Sequence, residues 1–344
     1  MTLDDERLDG PAGLGARALC MALLDTAQET HGQLGDGADA NALHDFRVAV
    51  RRLRTGLRAC EALLPPAAGR KPRRKLGKLA RATAVAREAD VEMTWLAAHR
   101  EHAAPKNQPA IDWLVAHVTE RRQGCCAKFS AEVDRPFHKA AIRLRARLLS
   151  RNGHCASAEI HAPLGQAIAN LLLAQANALG QALATATRGA EIAAVHIARI
   201  EAKRLRYLLD PLRNCQRADS TQVVATLREL QDVLGDLHDA VALCDAIGDA
   251  LPKAAAAEAR RLHGVVADGG TQAALKAGRK DDLIAGLLAL DVAAHERLRA
   301  GLAALQRDWP QDRMAAMLGA VAELAVALGA NDAESDNARV VATD

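Results

Sequence analysis

The segment beginning at His44 recurs 152 residues later. The first copy reads His44, Arg47, Val48, Arg51, Arg52, Leu53, Arg54, Leu57, and the second reads His196, Arg199, Ile200, Lys203, Arg204, Leu205, Arg206, Leu209. Eight positions match without a gap, giving H-x-x-R-[VI]-x-x-[RK]-R-L-R-x-x-L. A pattern repeated half a chain apart restricts the fold to one built from two similar halves. Its apolar positions follow a helical period, so each copy is predicted to be a helix.

The rest of the chain fits that reading. Half of the 344 residues are apolar, only 2% are aromatic, and no alternating strand pattern persists. Such a composition suits helices packed through small side chains. Helices are predicted over 14–30, 41–64, 72–102, 109–130 and 135–151. A second series covers 164–187, 191–213, 220–250 (broken near Pro252), 253–266, 281–308 and 311–328. Leu76, Leu79, Arg87, Glu88 and Ala89 are echoed by Leu227, Leu230, His238, Asp239 and Ala240 at an offset of 151. The expected fold is all-α: two pseudo-symmetric four-helix-type bundles from an internal duplication. The expected boundaries are an acidic N-terminal tail at 1–13, a first half at 14–152, a second half at 160–329 and a polar, disordered tail at 330–344.

Charge is segregated rather than abundant. The net charge is only +3, yet residues 46–60 hold Arg47, Arg51, Arg52, Arg54 and Arg58 without one acid. His44, Arg47, Arg51, Arg54 and Arg58 are spaced 3, 4, 3 and 4, which places them on one helix face. Phe46, Val50, Leu53 and Leu57 fall on another. The second copy repeats the stripe with His196, Arg199, Lys203, Arg206 and Arg213, interrupted by Asp210 where the first has Arg58. A charged helix face is ordinarily just solvated and mixes both signs, because like charges one turn apart repel. Four aligned arginines, repeated with their histidine, are better explained by an anionic partner.

Two more cationic ridges lie nearby: Lys71, Arg74, Lys78 and Arg81, then Lys139, Arg143, Arg147 and Arg151. Parallel ridges suit a polyanion better than a small anion. Arginine fits the task because its planar fork binds phosphate oxygens bidentately and stays charged. His44 and His196 are equally readable as phosphate donors or as structural residues near the helix start. No metal-ligand spacing stands out among the histidines. The seven cysteines lack a CxxC framework, which reads as reduced thiols in a cytoplasm. The acidic N-terminus does not read as a signal peptide, and no uninterrupted apolar run reaches membrane-spanning length.

The duplicated motif and the segment Arg87–Glu88–Ala89–Asp90 resemble the CHAD family, the conserved histidine α-helical domain. The likeness covers both halves, from about residue 14 to 328. It implies two pseudo-symmetric helical bundles that bind inorganic polyphosphate through histidines and basic residues. By that resemblance the binding set is His44, Arg47, Arg51, Arg52, Arg54, His196, Arg199, Lys203, Arg204 and Arg206. The ridge spacing adds Arg58, Arg74, Lys78 and Arg81. Such domains are often joined to a CYTH triphosphatase module, but no E-x-E-x-K strand motif occurs here. The chain departs from the pattern at Asp210, at Glu88, and in the second half, where only Arg228 answers the third-helix ridge.

The expected function is therefore non-enzymatic binding of inorganic polyphosphate, without cofactor or metal, in the cytoplasm and at polyphosphate granules. No membrane role is expected. Alternatives are nucleic-acid backbone binding and an enzyme acting on phosphate chains. Seven aromatics supply few stacking platforms for bases. The stripes carry almost none of the carboxylates that metal-assisted hydrolysis needs.

Overall fold

Alanine and leucine at helical spacing build helices along the whole chain, as the computed structural model shows. It describes residues 3–34, 40–150, 161–189, 191–272, 276 and 283–330. In chain order the helices are α1 (Asp5–Asp9), α2 (Ala12–Gly32), α3 (Ala40–Ala59), α4 (Arg70–Ala82), α5 (Ala84–Arg100) and α6 (Gln108–Phe129). A π-turn at Ser130–Asp134 leads into α7 (Arg135–Leu149). Then come α8 (Leu164–Gly189), α9 (Ile192–Leu209), α10 (Thr221–Ala267), α11 (Leu283–Asp308) and α12 (Gln311–Gly329). Among the described residues the only β-type pairing is one antiparallel bridge, Pro11 to Pro163. The all-α expectation holds.

Several boundaries differ from those predicted. The helix expected over 72–102 is two, because α4 stops at Thr83. The buried Thr83 hydroxyl turns back onto the carbonyls of Leu79 (3.3 Å) and Ala80 (3.1 Å), competing for backbone acceptors at the end of the turn. Conversely, α10 runs through Pro252 as one helix of 47 residues. The ring of a helical proline meets the carbonyl four residues back. Here that residue is Gly248, and the buried Ala250 and Ala254 hold the helix on both sides of the ring. The acidic N-terminal stretch, expected as a tail, is ordered from Leu3. Leu3 and Leu8 are fully buried, and the Leu3 N–H donates to the Pro211 carbonyl at 2.8 Å. Asp9 takes both guanidinium nitrogens of Arg217, at 2.9 and 3.0 Å. Residues 35–39 between α2 and α3, and residues 331–344 of the expected polar tail, lie outside the described residues.

The chain packs as two compact units. The first comprises the described residues within 1–83, 129–234 and 306–344, and the second those within 84–128 and 235–305. This division does not follow the expected halves at 14–152 and 160–329. In the first unit α2 packs along α3, while α8 packs along both α9 and α12. At Gly56 the chain lets these helices close, since a Cβ there would lie 2.6 Å from the Leu23 Cδ1. The α8 helix is apolar and long enough to cross a bilayer by length and composition, but here it is clamped between α9 and α12. Trp309, fully buried, closes the start of α12 with the Arg313 guanidinium 4.2 Å over its ring. The second unit has its own core, with Leu96, Ile111, Leu114, Ile247, Leu287 and Leu290 at its centre. The Arg121–Glu92 ion pair lies in this unit, with the Glu92 carboxylate almost wholly buried.

Candidate functional site

The first unit brings the two motif helices together, since α3 packs against α9. Each turns an apolar face inward. From α3 these residues are Phe46, Val50, Leu53 and Leu57, and from α9 they are Val195, Ala198, Ala202, Leu205 and Leu209. Burying the Phe, Val and Leu side chains among them is worth about 1.5–3 kcal/mol each, which fixes the rotation of both helices. The cationic residues therefore cannot turn inward. Of the sequence-predicted set, His44, Arg58 and His196 are exposed, while Arg47, Arg51, Arg54, Arg199, Lys203 and Arg206 are half-buried.

The charge is densest where α4 meets α3. Arg54 lies against Gly77 of α4: a Cβ at residue 77 would stand 3.2 Å from the Arg54 Nη2 and 3.4 Å from its Cζ. The glycine makes a seat for the guanidinium. Burial first, then the positive charges of Arg81, Arg204 and Arg73, depress the Arg54 pKa. The same happens to Arg58, through burial and then Arg204 and Arg73, opposed by Glu201 and Glu61. Five arginines from three helices thus share one field: Arg54, Arg58, Arg73, Arg81 and Arg204. Two carboxylates answer them. Glu61 pairs with Arg73, and Glu201 pairs with Arg204 while accepting the Gln175 amide at 2.6 Å.

Unmet hydrogen-bonding capacity accompanies the excess charge. The Nε atoms of Arg51, Arg52, Arg54 and Arg206 are buried without a hydrogen-bond acceptor. A buried donor left unsatisfied costs about 1–3 kcal/mol, and groups of this kind usually find a partner. Phosphate oxygens are suitable acceptors for such donors. His196 is held toward its neutral form, by partial desolvation and then by the cations of Arg199 and Lys203. A polyanion laid beside it would favour the imidazolium instead.

Not every predicted residue joins the cluster. Arg52 turns the other way and donates to the Asp210 carboxylate at 2.9 Å. Arg52 and Arg206 flank the Tyr207 ring, at 5.6 and 5.3 Å from its centroid. Arg74 and Lys78 are exposed on α4. On α7, Lys139 and Arg143 are exposed, while Arg151 lies outside the described residues. Sequence reasoning overlooked Arg73 and Gly77. The signal was there, because Arg73, Gly77 and Arg81 repeat at intervals of four, with a glycine set between two cations. Among the described residues, no three His, Cys, Asp or Glu side chains converge as a metal site.

Residues 18–248 match the family model of the CHAD domain. This chain belongs to the CHAD family. Both motif helices and α4 lie within the matched residues. A crystal structure of the CHAD domain from the plant Ricinus communis is similar to it, with a TM-score of 0.55 and 23% sequence identity. The similarity covers 88% of this chain and 94% of that one. It supports a shared CHAD fold. No curated protein matches the chain.

Proposed function

We propose that this CHAD protein binds inorganic polyphosphate, without turning it over, along the cationic faces of α3, α4 and α9. The observation that carries the reading is the five-arginine cluster around Arg54, in which the buried Arg54 Nε has no acceptor and, among the described residues, Glu61 and Glu201 are the carboxylates that pair with it. A phosphate chain supplies closely spaced negative charge and many acceptor oxygens. Binding would release condensed counterions, so affinity should fall steeply with salt. The cellular setting that fits is cytoplasmic, with recruitment to polyphosphate granules.

Direct binding of long-chain polyphosphate and of orthophosphate to the full chain tests this. Tight binding of the chain and weak binding of the monomer are expected, and equal affinities would overturn the reading. Replacing Arg47, Arg51, Arg199 and Lys203 by alanine should weaken binding and leave the helical circular dichroism intact. Single- and double-stranded nucleic acids, offered at matched phosphate concentration, should fail to displace polyphosphate. Their success would favour the nucleic-acid alternative. Release of orthophosphate from polyphosphate in the presence of magnesium would replace the binding module with an enzyme.

A further inference from the structure

One turn of α9 is held from two neighbouring helices. The Gln175 amide on α8 donates to the Glu201 carboxylate at 2.6 Å and to the Glu201 backbone carbonyl at 3.3 Å. The Gln231 amide on α10, a buried residue, donates to the next carbonyl, that of Ala202, at 2.9 Å. A carbonyl inside a helix already accepts from the N–H four residues on, so these bonds are additional to those that make the helix. The first copy of the motif forms its helix without them. Ala49 stands where the second copy has Glu201, and Ala80 where it has Gln231. The carboxylate and the amide are therefore additions to the second copy, not requirements of a motif helix.

The carboxylate held in this way is the one that Arg204 meets. Glu201 takes Gln175 on Oε2 and the Arg204 Nη1 on Oε1, so both oxygens are engaged. Its side chain is 13% exposed and that of Arg204 is 22% exposed. Glu201 is pinned through its side chain and its backbone by one amide, so it does not swing with Arg204. A guanidinium presents five N–H donors in a rigid fork, so holding it through Nη1 also directs its other donors. An arginine already immobilised loses less rotamer freedom when a ligand arrives. Groups that touch a ligand are commonly oriented by a second layer of hydrogen bonds of this kind.

We propose that Glu201 is a positioning residue for polyanion binding: clamped by Gln175, it holds the Arg204 guanidinium in the orientation that receives a phosphate. This rests on the polyphosphate reading above and adds what orients one of its arginines. The proposal fixes an unusual sign. A carboxylate that only opposed the polyanion would, once neutralised, let it bind more tightly. A carboxylate that positions an arginine would, once neutralised, let the polyanion bind less tightly, although the protein has become more positive.

The test is a double-mutant cycle on the full chain, with long-chain polyphosphate as the probe across a sodium chloride series. The proteins are wild type, Glu201→Gln, Gln175→Met, Arg204→Met, and each of the first two substitutions combined with Arg204→Met. Glu201→Gln should lower affinity roughly tenfold, the loss of one arginine–phosphate contact. Its slope of log affinity against log salt should shrink by about 0.7, the share of one phosphate on a single-stranded polyanion. Gln175→Met changes no charge and should lower affinity in the same direction by a smaller factor. With Arg204 already replaced, either substitution should change affinity by less than about twofold, because its effect runs through that arginine. Affinity of Glu201→Gln equal to or above wild type would overturn the proposal and make Glu201 a plain counterion. An equal loss with and without Arg204 would overturn it too, since the carboxylate would then be acting on the fold at large. Should Glu201→Gln fail to fold by circular dichroism, the Gln175→Met arm of the cycle decides by the same two criteria. Failure of wild type to bind the probe would remove the polyphosphate reading itself, which separates the two failures.

Discussion

Removing Arg54 should make the unliganded protein more stable and the liganded one far weaker. The side chain is half-buried among Arg73, Arg81 and Arg204, and burial and those charges oppose its ionised form. In Arg54→Met the apolar stem keeps packing against α4 while the charge is lost. Each partly screened like-charge contact costs a few tenths of a kcal/mol, so relieving three should stabilise the first unit by about 1 kcal/mol. For a unit of this size that is a rise in Tm of about 2–4 °C. The lost arginine–phosphate contact should cost about 1.5–3 kcal/mol, or roughly ten- to a hundredfold in polyphosphate affinity. The salt slope should shrink by about 0.7. Differential scanning calorimetry and a binding series in sodium chloride read both quantities on one preparation. A variant with lowered Tm and an unchanged salt slope would refute the reasoning, because it would make Arg54 a structural residue.

Gly77→Ala should separate the same two properties from the other helix. Alanine gains about 1 kcal/mol of helix propensity, yet its Cβ would crowd the Arg54 guanidinium at 3.2 Å. Thermal stability should hold or rise while polyphosphate affinity drops, and a variant binding as wild type would show that the seat does not matter. His196 should make binding pH-dependent. Its pKa is lowered from 6.5 by partial burial and by Arg199 and Lys203, so the free protein carries it neutral near pH 7. A bound polyanion favours the imidazolium, so affinity should be flat above about pH 7 and rise as pH falls below about 6.5. His196→Gln should flatten that profile. Without ligand the sign reverses: the depressed pKa gives stability above the unfolded value that is lost as pH falls through the folded one. Trp309→Ala should destabilise the first unit by about 3–5 kcal/mol, measured by urea denaturation. It is fully buried and carries Arg313 over its ring, so a loss below 1 kcal/mol would contradict the packing described.

The helices were legible because their causes are local. Apolar spacing set the faces of α3 and α9, and prolines follow both of them, Pro65 and Pro66 after α3 and Pro211 after α9. Thr83 and Pro252 were misread for different reasons: at Thr83 the hydroxyl bonds the Leu79 and Ala80 carbonyls of its own turn, whereas α10 is held through Pro252 by the burial of Ala250 and Ala254. The cationic stripe was legible as a stripe, since spacing alone puts Arg47, Arg51, Arg54 and Arg58 on one face. What spacing could not show is which helices meet. The gathering of Arg73 and Arg81 around Arg54, and the pairing of Arg52 with Asp210, depend on contacts between residues 19, 27 and 158 positions apart. Asp210 stood out in the sequence only as an interruption. Its partners give that interruption a physical meaning.

The most direct measurement is a crystal structure of the protein with a polyphosphate chain bound, with phosphorus positions read from the density. The chain is expected along α3, α4 and α9, with phosphates on Arg54, Arg58 and Arg204. A chain seated on the Lys139–Arg143 face of α7, or no bound chain at saturating polyphosphate and low salt, would contradict the account.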